Sequence, residues 1–372
     1  MDPTRPGQTD VTIRNCGGRP IYFGIRCAYI DDLTLDSCKF YAHMPSDKWW
    51  VAYSDIKGGT PPAGNVRKVG LDLGVATYVE VVDCLFEEFF DSILSRSPRD
   101  PATPAHDVEI HRTNFNHIWD DAWQMTGKFY HINFHHNFCY GAGPSVDDAQ
   151  ANPQPGTVYI HHNVIDTTTR LLFWGRISSP DARVGESNPL PSHVSSTTYT
   201  WPRKLYYNTI VTGQTAGGND VGWACATATN SQAIHEVYNN IFNVIDGRPG
   251  GRDFDATTGN EIYDGNVYWY FYKGNSPSED KFPWRLLHMS SGIAKPPLTD
   301  VTQLRKSQAF IDSQAYYTPG WEKSGLSEDP QLDWAYKPHN ASCQTGAVNL
   351  TTKDDWPGTD CYEAWRGAIN PF

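Results

Sequence analysis

Three carboxylates stand in neighbouring segments of this chain at places where they could share one proton-transfer task. Asp91 lies in "EEFFDSILSR" (87–96), Asp120 and Asp121 lie in "NHIWDDAWQMTGK" (116–128), and "DTTTRLLFWGR" (166–176) carries Arg170. Like charges held close raise one another's pKa, so one carboxyl keeps a proton to donate while another stays ionised. Hydrolysis of a glycosidic bond needs that division of labour, and its inverting form also needs room for a water between the two groups. Trp123 and Trp174 offer flat apolar faces for sugar rings, and Gln124, Lys128, Asp147, Asp148 and Arg176 offer polar anchors. His117, on the turn before the Asp pair, is the histidine best placed to join the chemistry. An Asp pair at a turn also serves simply to solvate a strand end. The coincidence of three carboxylates, a guanidinium and two indoles in adjacent segments favours a site.

A repeat must position them. The phrase apolar-x-apolar followed by a small polar residue recurs as "VTIRNC", "LTLDSCKF", "VEVVDCLF", "VEIHRTNF", "INFHHNFC", "VYIHHNVI", "KLYYNTI", "HEVYNNIF" and "IYDGNVY". Its alternation has period two, so each phrase is a short strand with a bend at the polar residue. That residue is Cys16, Cys38, Cys84, Thr113, Asn137, Asn163, Asn208, Asn240 and Asn266. Most intervals suit one coil of a right-handed parallel β-helix, whose apolar face is buried only when coils stack. Asn suits the bend because stacked amides hydrogen-bond along a ladder and Asn tolerates the left-handed backbone. The three cysteines extend the column as small buried residues rather than as a redox centre. The predicted fold is all-β: one domain, with a β-helix over 1–275, inserted loops near 41–70 and 178–203, and an irregular segment, 276–372, capping the last coil.

Counting from Phe86, Phe115, Cys139 and Ile165, the fifth place holds Asp91, Asp120, Pro144 and Arg170, and the sixth holds Ser92, Asp121, Ser145 and Leu171. With parallel strands about 4.8 Å apart, Asp91 should lie over Asp120 and Asp121, with Arg170 two coils below. Histidines make a second column. His111, His135 and His161 stand two places before the ladder residue, and His136 and His162 one place before it. Stacked imidazoles could converge on a metal ion. The same places hold Val82, Tyr206 and Tyr238 elsewhere, and no Cys or carboxylate completes a shell, which favours an outward stack of rings and no metal.

Composition narrows the partners. The 372 residues carry a formal net charge of −12 and no long basic run, so nucleic acid is not an expected partner. No apolar run is long enough to span a bilayer, and "MDPTRPGQTDVTI" lacks the regions of a signal peptide; it reads as a start after a removed leader or upstream segment. Secretion to the periplasm or the outside is expected from the sequons at Asn340 and Asn349 and from Cys343 and Cys361, which bracket a tail that a disulfide would staple. Aromatic residues make up 13% of the chain, more than a core of this size needs, so some should face a ligand.

Coils of the form "VEIHRTNFNHIWDDAWQM" and "INFHHNFCYGAGPSV" resemble the pectin-lyase-like right-handed β-helix superfamily, over roughly residues 10–270. Within it, the chain is similar to polygalacturonase-like glycoside hydrolases, which carry an Asp in one coil, an Asp-Asp pair in the next, then a His, then an Arg/Lys pair. Asp91 matches the first, Asp120 and Asp121 the second, and Arg170 or Arg176 the last, while "YGAGPSV" has no His. The chain is also similar to bacterial β-helix repeat proteins with an Asp-Asp pair after a coil strand. The resemblance implies a polysaccharide or oligosaccharide substrate without naming the bond. Three readings stay open. One is a cofactor-free glycoside hydrolase, with Asp120 or Asp121 as acid. Another is a lyase or uronate epimerase in which Asp91, Asp120 and Asp121 hold Ca²⁺ and Arg170 or Lys128 removes a proton. The third is a non-catalytic glycan-binding or adhesin segment.

Overall fold

A computed structural model of the chain describes residues 10–18, 23–42, 69–96, 105–118, 121–141, 146–153, 157–166, 202–213, 234–245, 261–271, 301, 322–352 and 365–368. Its strands are parallel throughout and form an eleven-stranded and a nine-stranded sheet, wound as a right-handed parallel β-helix. The larger sheet turns a corner, so the solenoid has three faces. The first carries the rungs Leu33–Asp36, Val79–Val82, Val108–His111, Ile132–His135, Val158–His161 and Arg203–Tyr206 in register. The second is the nine-stranded sheet, from Gly17–Gly18 to Val267–Phe271. The third runs through Val69–Leu73, Asp91–Arg96, the start of Trp123–His135, and Val146–Pro153. No helix among the described residues is long and apolar enough to cross a membrane.

Each corner is made by single residues in the left-handed conformation. Between the first and second faces these are Asn15, Ser37, Asp83, Arg112, His136, His162, Tyr207, Asn239 and Gly265, with φ from 44° to 73°. Between the second and third they are Glu88, His117 and Gly141, and between the third and first Asp32, Tyr78, Asp107 and His131. Only one of the nine residues at the first corner is glycine and three are Asn or Asp, so the other five, Ser37, Arg112, His136, His162 and Tyr207, hold a conformation that costs roughly 1 kcal/mol or more each.

What holds this corner is the ladder. Asn137 accepts from the Thr113 amide through Oδ1 (3.0 Å) and donates through Nδ2 to the Ile110 carbonyl (2.9 Å), so its side chain bridges the backbone on either side of Arg112 in the preceding coil. Asn163 does the same for the coil of Asn137, Asn208 for that of Asn163, and Asn240 for that of Asn208. Cys84 makes a weaker version, with Sγ accepting from Cys38 N and contacting Leu35 O, both at 3.4 Å. Burial raises the Cys84 thiol to about 12, as befits a structural rather than a redox cysteine. The left-handed residue therefore precedes the ladder residue, where the sequence reading put both roles on one Asn. The reason is geometric: a side chain pointing inward clamps a neighbour's bend better than its own.

Inside, the second face stacks Phe40 on Phe86 (5.4 Å between ring centres) and Phe86 on Phe115 (5.6 Å); Cys139, Ile165 and Ile210 continue the column to the Phe242–Tyr268 stack. The C-terminal segment closes the end. Glu322 takes the next ladder place, accepting from Asn266 N (3.1 Å), Asn266 Nδ2 (2.6 Å) and Tyr268 Oη (2.6 Å), and Leu326 bridges to Val267. Arg366, buried, sends all five guanidinium hydrogens to backbone carbonyls of Gly265, Ser342, Thr345, Ser324 and Gly346. Cys343 is a buried free thiol, raised to about 11 by burial, and its expected partner in a staple, Cys361, lies outside the described residues. Interior packing and Arg366 hold the described part of the tail.

Two measurements test this account. Asn208→Ala leaves the Asn163 amide and the Ile160 carbonyl without their clamp, so urea unfolding should show a loss of about 3 kcal/mol, against about 1 kcal/mol for Cys38→Ala. Glu322 is raised by burial from 4.5 to about 8. A carboxyl raised on folding stabilises fully below its unfolded pKa, and that stability is lost as pH rises towards its folded pKa. Stability should fall by up to about 1.4 kcal/mol per pH unit across that window, and Glu322→Gln should flatten the slope.

Candidate functional site

The third face brings two of the three predicted carboxylates together. Val69 pairs with Asp91, and Trp123 pairs with Ile93, with Ser92 N donating to Asp121 O at 2.9 Å. Asp91 therefore lies beside Asp121, not Asp120. The corner explains the shift. Glu88 and His117 are equivalent left-handed residues, yet Asp91 stands three places after the first and Asp121 four places after the second. One extra residue in the turn displaces the alignment of the sequence by one. Both aspartates are buried, Asp91 at 2% exposure and Asp121 at 0%. Along its strand Asp91 shares a side with Ile93, a core residue, so the pair is set into the solenoid wall rather than on an open stripe as expected.

Trp123 is a core residue. Its indole is 0% exposed, lies 6.1 Å from the Phe134 ring and donates through Nε1 to Ser95 Oγ at 2.8 Å. The expectation that it stacks on a sugar is overturned, because strand alternation turns it inward next to Leu71 and Ile93. Alternation turns Gln124 the other way. It is half-buried and pairs with Leu94 on one side and Asp147 on the other, which makes it the predicted anchor best placed to meet a ligand. Of Lys128, Asp147 and Asp148 only the strand positions are described, in Trp123–His135 and Val146–Pro153. Asp120, Arg170, Trp174 and Arg176 lie outside the described residues, as do most of both predicted inserts. His117 forms the second corner, its amide donating to Tyr140 O (2.8 Å) and its ring edge-on to Tyr140 at 5.6 Å. Residues 43–68, outside the described residues, join Ala42 at this same second corner to Val69.

Family models, curated proteins and solved structures offer no match to this chain.

The histidine column on the first face is stacked as the sequence predicts. His111, His135 and His161 follow one another at 5.0 and 4.7 Å between ring centres, and His136 and His162 at 4.8 Å. It is less outward than expected, since His161 and His162 are buried and the rings of Tyr206 and Tyr207 continue both stacks. The sequence reading missed the partners of these rings. Glu80 accepts from His111 Nε2 (3.1 Å), Glu109 from His135 Nε2 (2.8 Å) and Asn133 from His161 Nε2 (2.9 Å). Each partner stands one coil earlier and two residues out of step, a diagonal that appears only once the coils are written in register.

The core placement of Trp123 predicts that Trp123→Ala unfolds in urea with a loss of about 3–5 kcal/mol. Gln124→Ala, on the opposite side of the strand, should stay within about 0.5 kcal/mol of the parent in the same experiment.

Proposed function

We propose that the chain is a carbohydrate-active member of the pectin-lyase-like β-helix superfamily, a glycoside hydrolase in which Asp91 and Asp121 divide the work of nucleophile and acid–base. The observation that carries this reading is the pairing of the two carboxylate-bearing strands in adjacent coils beside the second corner. Strand separation of about 4.8 Å suits the close spacing of a retaining mechanism, roughly 5–5.5 Å, better than the wider gap an inverting one leaves for water. In a retaining sequence one carboxylate attacks the anomeric carbon as the other protonates the leaving oxygen; water then releases the sugar as the second group takes back a proton. Gln124, Asp147, Asp148 and Lys128 are the anchors this reading assigns to the glycan, together with Asp120, Arg170, Arg176, Trp174 and His117. A secreted location belongs to the same proposal.

The burial of both aspartates favours a second reading, a non-catalytic glycan-binding β-helix in which the pair is structural. A lyase, with Ca²⁺ on the acidic cluster, is the third outcome of the same experiment. Incubation with neutral and acidic polysaccharides, with and without chelator, should give new reducing ends without absorbance near 235 nm. Asp121→Asn and Asp91→Asn should each lower the rate at least about 10²-fold. Ultraviolet absorbance that vanishes with chelator would instead support the lyase. Glycan binding without either product, unchanged in both variants, would support the binding module.

A further inference from the structure

The polar groups on the first face form a cluster that the carbohydrate reading does not use. One ring nitrogen from each of His135, His136 and His161 lies within 4.8 Å of the others. Within each coil two imidazoles meet through the same atom: His135 Nδ1 is 2.8 Å from His136 Nδ1, and His161 Nδ1 is 2.8 Å from His162 Nδ1. The rings of each pair are nearly perpendicular, at 81° and 84°.

The tautomers follow from the partners. His135 Nε2 lies 2.8 Å from Glu109 Oε1, and a carboxylate oxygen accepts, so His135 carries its proton on Nε2. Asn133 turns its Nδ2 towards the same Glu109 oxygen (3.4 Å), which leaves its Oδ1 facing His161 Nε2 and fixes that proton too. Both imidazoles therefore carry their lone pair on Nδ1, the nitrogen that meets the neighbouring imidazole of the same coil. Histidine ligands of metals are oriented in this way, with the second nitrogen donating to a carboxylate or amide oxygen.

We propose that His135, His136 and His161 bind one divalent transition-metal ion that takes imidazole nitrogens in a tetragonal arrangement, Cu²⁺ or Ni²⁺. Metal–nitrogen bonds of about 2.0 Å put adjacent ligands about 2.8 Å apart in a square arrangement and about 3.3 Å apart in a tetrahedral one. The observed 2.8 Å between His135 and His136 is the square edge. The 4.8 Å limit on the cluster exceeds the opposite-ligand span of about 4.1 Å by an amount that side-chain adjustment covers. Without an ion, each 2.8 Å contact is a hydrogen bond from His136 or His162 Nδ1–H; binding moves the proton of His136 to Nε2 of the same ring and releases none. Among the described coils, the column carries paired imidazoles in these two only. One coil earlier, the corner place holds Arg112, whose guanidinium pairs with Asp83 at 2.8 and 2.9 Å and lies 3.4 Å from His111 Nδ1; one coil later stand Tyr206 and Tyr207.

The test uses the untagged full chain, stripped with chelator and titrated with Cu²⁺ and separately with Ni²⁺ by calorimetry, followed by electron paramagnetic resonance of the Cu²⁺ form. The expected result is one ion per chain with coupling to at least three nitrogens. His136→Asn keeps a residue that accepts the left-handed corner and should weaken binding at least tenfold, with fewer coupled nitrogens. Glu109→Gln, which coordinates nothing, should weaken it by about 10–100-fold with the far-ultraviolet dichroism unchanged. No binding of either ion, or affinity and nitrogen coupling unchanged in both variants, overturns the proposal. None of these residues belongs to the third face, so the outcome is independent of the carbohydrate experiment.

Discussion

The structure depends on a side-chain amide that completes a neighbour's backbone. Each coil must reverse direction in a single residue at the first corner, and that residue adopts a backbone conformation which Arg112, His136, His162 and Tyr207 do not favour by themselves. The compensation comes from the adjacent coil, through one acceptor and one donor on the same Asn. Because the clamp acts through the backbone, the corner residue keeps its side chain for other uses. This is why histidine, tyrosine and arginine can occupy places where glycine would be the default.

Much of the fold was legible because its two periodicities are independent. Alternation at Val108–His111 and Ile132–His135 marks strands, and the recurrence of Thr113, Asn137, Asn163 and Asn208 marks the coil. The candidate site was less legible for two physical reasons. A turn changes length without leaving a trace in either period, so one extra residue before Asp121 moved the whole third-face alignment and made Asp120 look like the partner of Asp91. A tryptophan in a strand also faces inward or outward by parity alone, and Trp123 shares its side with the interior, where Ser95 satisfies its indole. Composition carries no information about parity. The diagonal contacts Glu109–His135 and Asn133–His161 were hidden for a related reason, since they cross coils out of step.

Two chemistries thus occupy different faces of one scaffold. On the third face, acidic side chains lie in the wall next to the corner from which a long connection departs. On the first face, imidazoles lie in file with their protons fixed by an adjacent row of oxygens. Neither arrangement is needed for the solenoid to close, because the ladder and the Phe86–Phe115 stack do that elsewhere.

The ladder also has a direction. The side chain that secures a given corner always comes from the coil that follows in sequence: Asn137 secures the bend at Arg112, and Asn240 the bend at Tyr207. On a chain emerging from a ribosome, every coil is therefore left open until its successor has been made, and the order runs one step behind synthesis. The bend before Asn266 waits longest, for Glu322, 56 residues further on. Glu322 is the latch for the coil of Asn266, and a chain truncated ahead of it would expose an unfinished edge to any other strand nearby.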